Sequence, residues 1–241
     1  VPGTVMGDTK ELKLSPRLEI IAESIRGYDS VADIGSDHAY LPIFLIKNKY
    51  VKNAVATDIN IGPVKISKKR IKIHGFESKI TVRRGNGLEA IRPGEAEVIV
   101  IAGMGGILIR DILDANSGTA ESAKLLILQP MRDSDKIRKW LFEHGFDIID
   151  EELVKEQDKI YEVIWAKSIG KVREAKGLLL IGDKIIQKKH PLAAEYINKK
   201  ISGLEKVIAD LEGMYNENCR DRVEECKELT DFYREVLQWV Q

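Results

Sequence analysis

Up to residue 166 the chain alternates short β-branched runs with longer stretches of helical spacing, and this alternation constrains the fold more than any other feature. The candidate strands are 31–34 (VADI), 54–58 (AVATD), 80–84 (ITVRR), 97–101 (EVIVI), 124–129 (KLLILQ), 146–151 and 160–166 (IYEVIWA). Helical spacing occupies 39–48, 62–74, a short piece at 87–91, and 105–115. Such alternation predicts an α/β fold, a mostly parallel sheet with helices on both faces. The last two strands are separated only by a short charged turn, KEQD, which suits an antiparallel hairpin at the sheet edge. Pro63 after Gly62 marks a helix start, and Gly75 after His74 a helix stop.

Beyond residue 168 no β-rich run follows, and 190–241 reads as two long helices. Ile197, Ile201, Leu204, Ile208, Leu211 and Tyr215 step by four and three, as do Cys219, Val223, Cys226, Thr230, Tyr233, Leu237 and Val240. This is coiled-coil spacing, with the polar YNEN at 215–218 as the turn. The expected division is therefore 1–167, an α/β domain, and 168–241, a helical hairpin entered through a basic segment at 168–189. An intrachain helix pair makes a monomer the expectation, and a dimerising coiled coil is the competing account. Cys219 and Cys226 fall two turns apart on one helix, too far to bridge, and read as small hydrophobes in a reducing compartment.

With 44% hydrophobic and 32% charged residues the chain is an ordinary folded protein rather than a disordered one. No apolar run approaches the roughly 18 residues of a spanning helix, so no membrane partner is expected and the cytoplasm is the expected location. The four histidines, at 38, 74, 144 and 190, lie scattered without ligand spacing, and no metal is expected. The 38 basic and 38 acidic residues cancel, but they are not evenly spread. Residues 65–84 carry eight basic residues, Lys68, Lys69 and Arg70 among them, against one acid, Glu77. Residues 167–200, with Lys184, Lys188 and Lys189, are also basic, whereas 201–241 is acidic. Two positive zones suit a polyanion held along part of the molecule; solvated helix faces are the plainer alternative.

The strand ends carry the chemistry. The first runs VADIGSDHAYLP at 31–42: an acid, Asp33, then Gly35, then a turn into a helix. Gly35 lets backbone approach a ligand closely, but Asp37 and Tyr40 replace the second and third glycines of the dinucleotide fingerprint. Asp33 and Asp37 repel a pyrophosphate and favour a ligand bearing an ammonium group, which points to S-adenosylmethionine rather than NAD. Asp58, followed by Ile59, ends the second strand, where a carboxylate accepts both hydroxyls of a ribose or merely caps the next helix. Gly85, Asn86 and Gly87 end the third, placing an amide where a flat ring can meet it or forming a tight turn. The fourth ends in Gly103, Met104, Gly105 and Gly106, without an acid, base, amide or nucleophile.

Together DIGSDHAYLP, TDIN, GNG, AGMGG, the LSPRL at 14–18 and the LQP at 128–130 resemble the bacterial tRNA (adenine-22-N1)-methyltransferase family over the full length. The resemblance implies a Rossmann-like class I methyltransferase sheet followed by a helical coiled-coil hairpin that contacts tRNA. It also implies that Asp33, Gly35, Asp37, Asp58, Asn86 and Gly103 surround S-adenosylmethionine. The bare fourth strand end then makes sense. Adenine N1 carries its own lone pair, so methyl transfer needs a base held at about 3–3.5 Å rather than a nucleophilic side chain. Asp37 is the candidate for stabilising the charge that reaches the ring. Tyr40 and His38 are the candidates for stacking on the base, with core packing and a helix start as their alternatives. Arg17 reaches a phosphate, covers the cofactor or is a surface arginine; Gln129 contacts the base or closes its strand. A methyltransferase acting on another RNA or a small molecule, and a non-catalytic RNA-binding adaptor, are the competing functions.

Overall fold

The computed structural model describes residues 12–172, 174, 177–211 and 217–240. Two compact units divide at Leu179/Leu180, some way beyond the boundary expected at 167/168. The first contains β1 (Ser30–Ile34), β2 (Asn53–Asp58), β3 (Ile80–Arg84), β4 (Val98–Met104), β5 (Leu125–Pro130), β6 (Phe146–Glu156) and β7 (Lys159–Ser168). Its helices are α1 (Pro16–Ser24), α2 (Tyr40–Lys47), α3 (Ile61–His74), α4 (Gly106–Ala115), α5 (Ser117–Glu121) and α6 (Ser134–Glu143). All seven strands join one sheet in the order β3-β2-β1-β4-β5-β7-β6. The first five are parallel, and β7 enters antiparallel between β5 and β6. The expected edge hairpin is present, turning at Gln157 and Asp158.

Alternation along the central strands builds two cores. Val98 and Val100 point to the face covered by Ile21 of α1 and Ile25 just after it, Leu45 of α2 and Ile71 of α3. Ile99 and Ile101 point to the opposite face, under Ile109 and Leu113 of α4 and Ile137 of α6. β4 and the first four residues of β5 are therefore apolar without interruption, as strands buried on both faces must be. The helix α1 was not among the expected elements. Pro16 at its first turn, then Leu18, Ile21, Ala22 and Ile25 at helical spacing, is the local reason it forms. α3 ends as expected on Gly75, whose left-handed backbone returns its N–H to Ile71 and Lys72.

The second unit contains α7 (Asp183–Gln187), α8 (Ala193–Leu211) and α9 (Glu217–Val240), the last two packed on each other as a hairpin. Tyr196, Ile197 and Ile201 of α8 and Cys226, Thr230, Tyr233 and Val236 of α9 are buried. Arg234 reaches across to Glu205 at 2.9 Å. Val236 takes the fully buried position that spacing assigned to Leu237, which is half-buried, because a helix of period 3.6 drifts off a strict heptad. Cys219 is half-buried and both cysteines are free. Tyr215 and Asn216 of the expected turn lie outside the described residues. Among the described residues no helix is long and apolar enough to cross a membrane.

One buried polar network fastens α6 to the edge hairpin. Arg138 Nε donates to Glu151 at 2.6 Å, its Nη2 pairs with Glu162, and its Nη1 donates to the Leu179 carbonyl at 2.8 Å. Burial alone lowers the guanidinium's affinity for its proton, and the charges of Glu162 and Glu151 more than reverse this. Replacing Arg138 by alanine removes the cation from between two buried carboxylates. The expected loss is about 3–5 kcal/mol of unfolding free energy, read from the urea midpoint at constant slope. A loss under about 1 kcal/mol would mean that the network contributes no net stability.

Candidate active site

The carboxyl ends of β1, β2, β3 and β4 open on one cavity of about 800 Å³. That is the upper part of the roughly 300–1,000 Å³ range of small-molecule sites, and it lies where parallel α/β sheets hold ligands. Asp33, Gly35, Asp37, Asp58, Ile59, Gly85, Asn86, Gly87, Gly103 and Met104 all line it, as do Arg17 and Tyr40. Lys13, Leu14, Ser15 and Leu18 complete its wall from the segment leading into α1. The sequence names Leu14, Ser15 and Leu18 only within the LSPRL motif and gives a role there to Arg17 alone. The Ser15–Pro16 helix start was the available signal for the rest.

Asp33 is buried at the head of β1, and burial raises its carboxyl to about 6, with the nearby Ser36 hydroxyl opposing. Two residues on, Gly35 has a φ of 69° and leaves the space in which the Met104 methyl sits; a Cβ there would lie 2.0 Å from that carbon. The chain then makes a short 3-10 turn in which His38 and Ala39 both adopt left-handed backbone, at φ 66° and 56°. Two such non-glycine residues in succession need external support. Arg70 of α3 supplies it. Its Nη1 donates to the His38 carbonyl at 3.1 Å, and its guanidinium lies 4.0 Å from the centroid of the Tyr40 ring.

Arg70, expected among the contacts for a polyanion, has its side chain engaged in holding the loop. Lys68 and Lys69 beside it are exposed. Tyr40 is 38% exposed, with Arg70 against its ring. His38 does not line the cavity; its Nε2 faces the Asp37 carboxylate at 3.2 Å and its ring meets Tyr40 edge-on. The Asp37 carboxylate is 73% exposed. Asp58 Oδ1 accepts the Asn60 N–H at 2.7 Å, which fixes the carboxylate's orientation at the cavity.

The fourth strand differs from expectation. β4 continues to Met104 instead of ending at 101, with its register against β5 shifting between Ala102 and Met104. The Met104 carbonyl accepts the Met131 N–H at 2.8 Å, which carries the pairing past the irregularity. Gly105 does not line the cavity; it is the residue from which α4 starts. Gln129, expected at the base, is wholly buried, its Oε1 accepting from Arg17 and from the Gly103 N–H and its Nε2 donating to the Pro130 carbonyl. Gln129 does not line the cavity, and its side chain reaches the wall through Arg17 and Gly103. Lys184 of α7 is half-buried, and Lys188 and Lys189 just after it are exposed in the second unit.

A model of the tRNA (adenine(22)-N(1))-methyltransferase family matches residues 31–233. The chain belongs to that family. A Bacillus subtilis tRNA (adenine(22)-N(1))-methyltransferase is 34% identical over 94% of this chain and 98% of its own length. The crystal structure of the B. subtilis M1A22 tRNA methyltransferase superposes with a TM-score of 0.84 at 34% identity, covering 94% of this chain and all (100%) of that one. A Mycoplasma capricolum family structure in complex with S-adenosylhomocysteine reaches a TM-score of 0.81 at 28% identity, covering 95% and 99%. A putative tRNA (m1A22) methyltransferase from Streptococcus pneumoniae, in complex with S-adenosylmethionine, reaches 0.77 at 34%, covering 90% and 100%.

The raised Asp33 gives a test in the ligand-free protein. Its neutral form favours folding below the unfolded value near 3.8, and that contribution is lost as pH rises through about 6. At pH 8 the ionised, buried carboxylate is therefore a liability. Asp33→Asn should raise the unfolding free energy at pH 8 by roughly 1–3 kcal/mol, a gain that fades towards pH 4. Chemical denaturation at the two pH values measures it, and an equal effect at both would refute the burial argument.

Proposed function

We propose that this chain transfers the methyl group of S-adenosylmethionine to N1 of adenine 22 in tRNA. The observation that carries this reading is the order of groups along the cavity set by the neighbouring strands β2, β1 and β4, from Asp58 past Asp33 to the open strand end at Gly103. Asp58, oriented by the Asn60 N–H, takes the two ribose hydroxyls, and Asn86 meets the cofactor's adenine ring beside Ile59. Asp33, costly to ionise while buried, is stabilised by a ligand ammonium group, and the Gly35 turn brings backbone against the same end of the ligand. When bound, S-adenosylmethionine supplies an electrophilic methyl group on a sulfonium.

The protein's own residues then have to place an adenine and tolerate its changing charge. N1 donates its lone pair to the new N–C bond, the C–S pair stays on sulfur, and no proton moves. No general base is needed in the site. The bare floor of Gly103 and Met104 leaves room for the base at near-attack distance. Tyr40, braced by Arg70, offers a stacking surface, and the exposed Asp37 carboxylate favours the positive charge that reaches the ring. His38 orients that carboxylate. Lys68 and Lys69 on α3, and Lys184, Lys188 and Lys189 in the helical unit, are assigned to the tRNA backbone by their charge.

Incubation of the protein with labelled cofactor and unmodified tRNA transcripts, followed by mass spectrometry of the nucleosides, tests the reading. The expected product is N1-methyladenosine at position 22. Cofactor binding with no methylated tRNA would redirect the activity to another RNA or a small molecule. Asp58→Ala should weaken S-adenosylmethionine binding roughly a hundredfold in a calorimetric titration, through loss of a charged acceptor for two hydroxyls. An unchanged affinity would remove Asp58 from the ribose.

A further inference from the structure

At the opposite end of the cavity from Asp58, a second cluster is built with more care than a surface arginine requires. The backbone N–H of Arg17, in the first turn of α1, donates to Glu156 Oε1 at 2.9 Å, and its Nε lies 3.5 Å from the same oxygen. Its Nη1 donates to Gln129 Oε1 at 2.8 Å, and its guanidinium lies 5.2 Å from the centroid of Tyr161. One carboxylate at the tip of β6 thus hydrogen-bonds the backbone of Arg17 and lies within ion-pair range of its side chain, whose buried Nε has no hydrogen-bond partner among the described residues. Ser15, the residue capping that helix, makes no capping bond with its own side chain.

The same Gln129 oxygen accepts the Gly103 N–H at 3.1 Å. Gly103 sits where the β4–β5 register shifts, at a φ of 78°, so its N–H is satisfied by this buried side chain. A Cβ on Gly103 would lie 3.7 Å from Arg17 Nη1. Arg17 therefore lies over the open strand end, and Gln129 ties the two together from behind. Arg17 Nη1 also donates to Met131 Sδ at 3.3 Å.

The pairing discriminates between ligands. The side chains of Arg17 and Glu156 are 25% and 18% exposed, so the cation is largely withdrawn from water and already neutralised. A phosphate approaching it would meet the Glu156 carboxylate as well. A flat, charge-balanced guanidinium backed by an aromatic ring is instead a surface for a nucleobase. It is also compatible with a base that becomes a cation on methylation, which an uncompensated arginine a few ångströms away would oppose.

Resting on the function proposed above, we infer that Arg17 is a catalytic residue that holds the acceptor adenine over Gly103. Glu156 and Gln129 are positioning residues, and Glu156 in addition cancels Arg17's charge so that the adenine can accept the methyl group. The test uses the full chain carrying Arg17→Lys or Glu156→Gln, with unmodified and N1-methylated tRNA transcripts. Both variants should keep the native thermal midpoint and the native affinity for S-adenosylmethionine. Arg17→Lys, which retains charge but not the plane, should lower kcat about 10- to 100-fold. Glu156→Gln, which keeps the acceptor oxygen, should bind the methylated transcript at least about fivefold more weakly than the native protein does, with unmodified transcript bound equally.

Native kcat in Arg17→Lys, or a native ratio of the two transcript affinities in Glu156→Gln, would overturn the inference while leaving the function standing. Loss of cofactor affinity or of the thermal midpoint in both variants would also overturn it, assigning the cluster to the scaffold. A native chain that methylates no adenine N1 would take down both readings.

Discussion

The cavity depends on β1 and β4 lying side by side. The chain runs outward through β2 to β3 and then returns to place β4 on the free side of β1. The loops after β1 and β4 consequently leave the sheet in opposite directions and part, as they do wherever the strand order of an open parallel sheet reverses. Asp33 and Val100 are register partners across this pair, so the acid of one strand end and the glycines of the other are fixed relative to each other by backbone ladder hydrogen bonds. A shift of one residue would turn Asp33 from the cavity into a core face. The apolar runs of β4 and β5, buried on both faces, hold that register in place.

The buried charges divide by how they are compensated. Asp33 is buried without a cation from the protein, and its proton affinity rises accordingly. Arg138, equally buried, faces Glu151 and Glu162 and holds its proton more firmly than a free guanidinium. The second arrangement satisfies its charges internally and acts as a structural joint between α6 and the edge hairpin. The first leaves a charge that only a ligand can satisfy. Buried carboxylates of that kind mark binding sites more often than scaffold, because without a ligand they lower stability.

Much of this was legible along the chain because its signals are local. The strand runs are short and β-branched, so β1, β2 and β3 begin and end within a residue of expectation. DIGSD, TDIN and GNG each belong to a single strand end, and parallel topology brings strand ends together without further information. What escaped depends on distant partners. Arg70 reads as one more lysine-like charge on α3 until Tyr40 and the His38 carbonyl are seen beneath it. Gln129 reads as the end of a strand until Arg17, 112 positions away in sequence, is found on its oxygen. Nothing in GMGG predicts that the strand runs on to Met104, because the group that satisfies Gly103 comes from the neighbouring strand.

The glycine-rich end of β4 is the place where these two kinds of information meet. On the proposed function its lack of polar side chains follows from the reaction: the nucleophile belongs to the base, so the strand end has no nucleophile or base to supply. A strand end without polar side chains cannot orient a base by itself. Orientation has to be imported from elements that reach over it, and the structure offers two, the Arg70-braced Tyr40 on one flank and the Glu156- and Gln129-held Arg17 on the other. Each is a planar group whose position is set by residues that do not touch the cavity. The tolerance of such a site to mutation should therefore follow the supports rather than the floor, and those supports, Arg70, Glu156 and Gln129, act through partners that a reading confined to the strand ends does not reveal.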